Sequence, residues 1–82
     1  MEYKHPRDLA PGDIMIRATT GDEKCELLGW DKYYWNASII RTRYHFRGFC
    51  VDRTSLLEKM FERDDYGRFL VVGKKPLLSK NA

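Results

Sequence analysis

The chain has little of what catalytic, secreted or membrane proteins are usually built from. It holds only two cysteines, Cys25 and Cys50, in no Cys-x-x-Cys or Cys/His cluster. They read as two small buried hydrophobes of a reducing compartment. A zinc site would need two more ligands, and the only histidines, His5 and His45, have no ligand spacing between them, so neither metal nor cofactor is expected. No apolar run approaches the roughly 18 residues of a spanning helix, and the Met-Glu-Tyr-Lys-His-Pro start has no apolar signal core. The expectation is a cytoplasmic protein with no membrane partner. Base, nucleophile and phosphate-loop signatures are missing as well. Asp64-Asp65 could hold a metal only with partners the sequence does not supply, so neither an enzyme nor a small-molecule substrate is expected.

What is present fits one small domain spanning 1–82. Its 82 residues are 43% hydrophobic, 13% aromatic and 33% charged, with a net charge of +3, enough apolar area for one core and a water-exposed surface. The stretch from Tyr33 to Phe49 concentrates aromatic residues, β-branched residues and arginines. On alternate positions Tyr33, Trp35, Ala37 and Ile39 form an apolar row that continues as Arg41, Arg43, His45 and Arg47. From Ile40 onward the apolar row moves to the other parity, as Ile40, Thr42, Tyr44 and Phe46. A bulge, bend or turn within 36–40 must therefore shift the register by one.

Residues 1–9 are polar and of mixed charge, the composition of a loosely held arm. Ala10-Pro11-Gly12-Asp13 predicts a type II turn, with proline presetting φ and glycine supplying positive φ. A strand follows in which Ile14 and Ile16 face inward. Thr20 to Glu23 reads as a hairpin loop, Lys24 to Trp30 as the returning strand, and Asp31-Lys32 as a further turn. Ser55-x-x-Glu58 is a capping-box pattern, and Leu56, Leu57, Met60 and Phe61 share one face of the predicted helix of about three turns. Asp64 to Gly67 ends that helix, Phe69 to Val72 is a short buried strand, and 77–82 is a basic tail.

These elements predict an α+β fold: a small antiparallel, strongly curved sheet of about five strands with one amphipathic helix. The opening Leu9-Ala10-Pro11-Gly12-Asp13-Ile14 resembles the start of many SH3-like small barrels. Over those residues the resemblance implies a partly closed barrel and says nothing of function.

Charge is uneven. Lys32 through Val51 carries Lys32, Arg41, Arg43 and Arg47 without one carboxylate, and Tyr66 through Ala82 carries Arg68, Lys74, Lys75 and Lys80 without one. On a strand, Arg41 and Arg43 would stand about 6.8 Å apart on one face, close to the spacing of successive phosphates. The candidate binding residues are therefore Arg41, Arg43, His45 and Arg47, with Tyr44 or Tyr34 to stack a base and Lys74 and Lys75 in support. The competing expectation is that the arginines pair across the sheet with Glu23, Glu26 or the helix carboxylates. Two partners suit such a face. One is nucleic acid, bound with little sequence preference; the other is an acidic protein surface, bound by a small inhibitor or accessory subunit of the phage- or plasmid-encoded kind. Oligomeric state is not legible.

Overall fold

The computed structural model describes residues 1–18, 21 and 23–76; the expected basic tail at 77–82 and two of the four residues of the expected hairpin loop at 20–23 lie outside them. Six strands form an antiparallel sheet: β1 (Glu2–Lys4), β2 (Asp13–Arg17), β3 (Glu23–Trp35), β4 (Ser38–Phe46), β5 (Phe49–Asp52) and β6 (Phe69–Lys74). Their order across the sheet is β1-β6-β2-β3-β4-β5. The edge strands β1 and β5 are not paired with each other, so the sheet is open. This corrects the α+β, partly closed barrel read from the sequence: the described chain is mostly antiparallel sheet with one short helical segment beyond a brief 3₁₀ turn at Pro6–Asp8.

Two local features explain the correction. The expected loose arm supplies a sixth strand, with Tyr3 opposite Leu70 and Lys4 opposite Phe69. The helix is also much shorter than expected. It starts after Asp52 as one α-helical turn, Arg53–Ser55, widens into a π-helical turn, Leu56–Met60, and stops where Phe61 turns extended at φ −122° and ψ 156°. Ser55 lies inside the helix with no side-chain cap bond. Leu56 at the start of the π turn and the extended Phe61 just beyond its end are both buried, Phe61 bridging to Arg17 of β2, while Leu57 lies at the surface. Asp64 to Gly67 forms a separate turn, closed by the Gly67 N–H donating to the Asp64 carbonyl at 3.1 Å.

The Ala10 to Asp13 turn forms as its residues dictate. The Asp13 N–H donates to the Ala10 carbonyl at 3.1 Å, and Gly12 takes φ 98°. A Cβ at Gly12 would stand 2.6 Å from the Lys75 carbonyl oxygen, so strand end and turn meet there backbone to backbone. The parity of β2 is the reverse of that expected: Asp13 and Met15 are fully buried, Ile14 and Ile16 only half-buried. Alternation favours the Ile14 and Ile16 row, because the other row is Asp13, Met15 and Arg17, and the structure buries the first two of that other row nonetheless. Asp13 chooses. Its carboxylate accepts from Lys4 Nζ at 3.1 Å to both oxygens, from the Ala10 N–H at 2.9 Å and from Lys74 Nζ at 3.4 Å, the full set of partners a buried charge requires.

Strand β3 runs straight through Asp31-Lys32, where a turn was expected. Its first residues pair with β2 and the remainder with β4, a division marked by a bulge at Leu28, which has no partner between the Leu27–Phe46 and Gly29–His45 pairs. The core lies on one side of this bent sheet. There Phe46 stacks on Phe49 at 5.2 Å and on Phe61 at 4.8 Å, and Phe61 meets Phe69 edge-on at 6.4 Å. Leu9, Met15, Leu27, Leu56 and Val71 fill around these rings.

Candidate functional site

The expected register shift is a hairpin turn with an adjoining bulge. Asn36 and Ala37 hold φ 48° and 67°, two successive positive values as a type I′ hairpin demands. The pairs Tyr33–Arg41 and Tyr34–Ile39 then leave Ile40 as the extra residue. The distal part of β3 and β4 thus forms a two-stranded arm. At its tip Tyr34, Trp35, Ile39 and Ile40 are 58%, 68%, 54% and 63% exposed. Ile39, expected in the core, stands in solvent.

The strand β4 presents Arg41, Arg43 and His45 on its outer face, as alternation requires, and the register places carboxylates beside them. Arg43 Nε donates to Asp52 Oδ1 at 3.3 Å, and this bond with the charge of Asp52 raises the guanidinium pKa further. His45 Nε2 lies 2.7 Å from Asp31 Oδ2. Arg47 Nε donates to Glu26 Oε1 at 3.0 Å; that bond first, with the nearby Arg47 and Lys75 charges, holds the Glu26 carboxyl below its usual range. Arg41 alone of the row has no carboxylate among the described residues, and its guanidinium lies 5.0 Å from the Tyr33 ring centroid. Lys74 and Lys75 lie at the end of β6: Lys74 turns to Asp13, and Lys75 Nζ stands 3.8 Å from Glu26, sharing that carboxylate with Arg47. Tyr44 does not join the row. It is buried on the opposite face, its ring 5.9 Å from that of Trp30, and has no free ring face for a base.

The inner face of the same strands is different. There the 3₁₀ turn, β3, β4 and the start of the helical segment enclose a cleft of about 180 Å³, lined by Arg7, Trp30, Lys32, Thr42, Tyr44 and Arg53 among others, with no carboxylate in the lining. The Lys32 and Arg53 side chains make no ion pair or hydrogen bond among the described residues, and Arg7 meets only the His5 ring, at 3.4 Å. The register pairs Trp30 with Tyr44 and Lys32 with Thr42, and the next residue of this parity is Tyr34. Trp30 and Tyr34 both expose ring surface.

Arg7, Trp30, Lys32 and Arg53 are absent from the residues singled out by sequence. The signal for two of them is the alternation Trp30, Lys32, Tyr34, which becomes visible once Asp31-Lys32 is read as strand. Arg7 and Arg53 come from distant segments and carry no local signal. Asp64 serves its own turn: burial pushes its carboxyl up, but the Arg68 and Tyr66 N–H groups, at 2.8 and 3.0 Å, and the Arg68 guanidinium hold it below its usual value.

No family model, curated protein or solved structure matches the chain. No helix among the described residues is long and apolar enough to cross a membrane.

Proposed function

We propose that this chain is a small non-enzymatic binding module of the cytoplasm that holds nucleic acid on the inner face of the β3–β4 arm. The observation that carries the reading is the convergence of Arg7, Lys32 and Arg53 on one cleft without a carboxylate in its lining. Three like charges held together repel one another unless an anion meets them, and a phosphate backbone supplies closely spaced anions. The acidic and thiol groups favour binding over chemistry. Asp64 is spent on its turn, and burial first, with Glu23 adding and Arg17 opposing, pushes the Cys25 thiol up, away from a reactive thiolate. Both cysteines are free, but only Cys25 is buried as expected; Cys50 is exposed.

The test is titration against mixed DNA and RNA oligonucleotides at several salt concentrations, comparing Lys32→Glu/Arg53→Glu with Arg43→Glu. The cleft variant should lose binding and the outer-face variant keep it. Equal binding by all three proteins would remove the cleft from consideration.

A second reading has its own observation. Tyr34, Trp35, Ile39 and Ile40 give the arm an apolar tip of the kind used as interface anchors, which suits a protein-interaction module of the inhibitor or accessory-subunit type. A partner captured from the source cell that survives nuclease and is lost on Trp35→Ala would favour it.

A further inference from the structure

Resting on the nucleic-acid reading, we infer that the inner face of β3 takes single-stranded rather than duplex nucleic acid, with bases stacked on Trp30 and Tyr34 and the backbone held by Lys32, Arg7 and Arg53. Trp30, Lys32 and Tyr34 are alternate residues of one strand, so an aromatic ring, an ammonium group and a second ring follow each other on one face at steps of about 7 Å. That order of ring, charge and ring matches a chain of bases joined through phosphates. Its charge is uncommitted, because Lys32 and Arg53 have no ion-pair partner among the described residues, whereas Arg43 and Arg47 on the outer face are bonded to Asp52 and Glu26.

The rings decide between one strand and two. A base inside a duplex is covered on both faces by its neighbours and offers a side chain only its edges, so Trp30 and Tyr34 gain nothing from a duplex. An unpaired base brings a free π-face, and stacking on an aromatic side chain tolerates any sequence. Trp30 is tilted against Tyr44, with ring centroids 5.9 Å apart. The buried Tyr44 thus backs the exposed ring and fixes its plane before a base arrives, which cuts the ordering cost of binding. The cations add a sequence-independent attraction, and three phosphate contacts on a single strand give a slope of about −2 in log K against log salt.

The experiment measures anisotropy of labelled oligothymidylate, of a mixed-sequence single strand and of a duplex of the same length, with wild type, Tyr34→Ala, Trp30→Leu and Lys32→Glu. Circular dichroism accompanies each protein, since Trp30→Leu removes a ring that touches the core. Tyr34 stands clear of the core, so Tyr34→Ala is decisive even where Trp30→Leu fails to fold. Both single strands should bind tighter than the duplex. Tyr34→Ala should weaken single-strand binding by about 5- to 150-fold, the range for one lost stacked base, and leave duplex binding unchanged. Lys32→Glu should weaken both. In a Trp35→Phe background the remaining Trp30 fluorescence should be quenched by the single strand alone. Equal affinity for single strand and duplex, with Tyr34→Ala silent and Lys32→Glu harmful, would overturn the single-strand inference and leave the nucleic-acid reading standing. Absence of binding to any oligonucleotide would overturn both.

Discussion

The outer and inner faces of the β3–β4 arm are made by the same two strands, but the outer face carries its own row of Arg41, Arg43 and His45, whereas the inner face supplies Lys32 and gathers Arg7 and Arg53 from neighbouring segments, and the carboxylates fall on the outer side. On the outer face, strand register sets Asp52 beside Arg43, Asp31 beside His45 and Glu26 beside Arg47. On the inner face, Lys32 meets Arg7 and Arg53 around a cleft that no carboxylate lines. A run of basic residues in sequence is thus a poor measure of positive surface. Exposed pairs add little to stability, but they neutralise the field an anionic partner would meet.

The change with the largest expected effect strikes what both faces rest on. Phe61 is fully buried against Phe46 of β4, and Phe61→Ala should cost about 3–5 kcal/mol in urea unfolding. Leu57→Ala, one turn back and at the surface, should stay within about 0.5 kcal/mol; equal losses in the two variants would contradict the π-turn geometry. The next effect is electrostatic. Lys32→Ala with Arg53→Ala should reduce the single-strand salt slope by about 1.4, whereas Arg43→Ala with Arg47→Ala should leave the slope alone and lower the thermal midpoint slightly. The reverse pattern would return the site to the outer row.

A smaller effect isolates the tip. Ala37 holds φ 67°, a conformation costing an L-residue about 1–2 kcal/mol. Ala37→Gly should therefore stabilise the protein by about 0.5–1 kcal/mol once the freer unfolded chain is counted, with cleft affinity unchanged. A destabilised variant would mean that the turn is not the one described. The slightest effect is on acid sensitivity. The Glu26 carboxyl is lowered in the folded protein, so its contribution is present above the unfolded value of about 4.3 and is lost as pH falls through the lower folded value. The midpoint of Arg47→Gln should decline less steeply through that window than wild type. Parallel declines would show the Arg47–Glu26 pair to be without consequence.

Much of the local structure was legible. Gly12 announces its positive φ, the parity change after Ile39 locates the hairpin turn and its bulge, and Phe69 to Val72 is strand as read, although only Phe69 and Val71 are buried and the alternate residues are half-buried. The failures have physical causes. Asp31-Lys32 has a turn's composition, but cross-strand partners at Arg43 and Thr42 hold it extended. Ser55-x-x-Glu58 has the spacing of a cap, yet the helix had already begun at Arg53, and a helix wound at 3.6 residues per turn would not leave Leu57 outside. Of the carboxylates beside the candidate row, Glu26 was foreseen as a partner across the sheet, and it pairs with Arg47; Asp52 and Asp31 were not, because they reach Arg43 and His45 through pairings between strands that spacing along one strand does not reveal.

The buried Asp13 carries a consequence beyond stability. Lys4 of β1 binds its carboxylate, and the chain from Lys4 to Leu9 then crosses to the cleft, where it delivers Arg7. The N-terminal segment is in effect a strap held at three places around Arg7: by the pairing of β1 with β6, by the Lys4–Asp13 ion pair and by the buried Leu9. A buried carboxylate that does not line the cleft thus shares in placing one of the cations that do: the core and the cleft are tied by the same short segment.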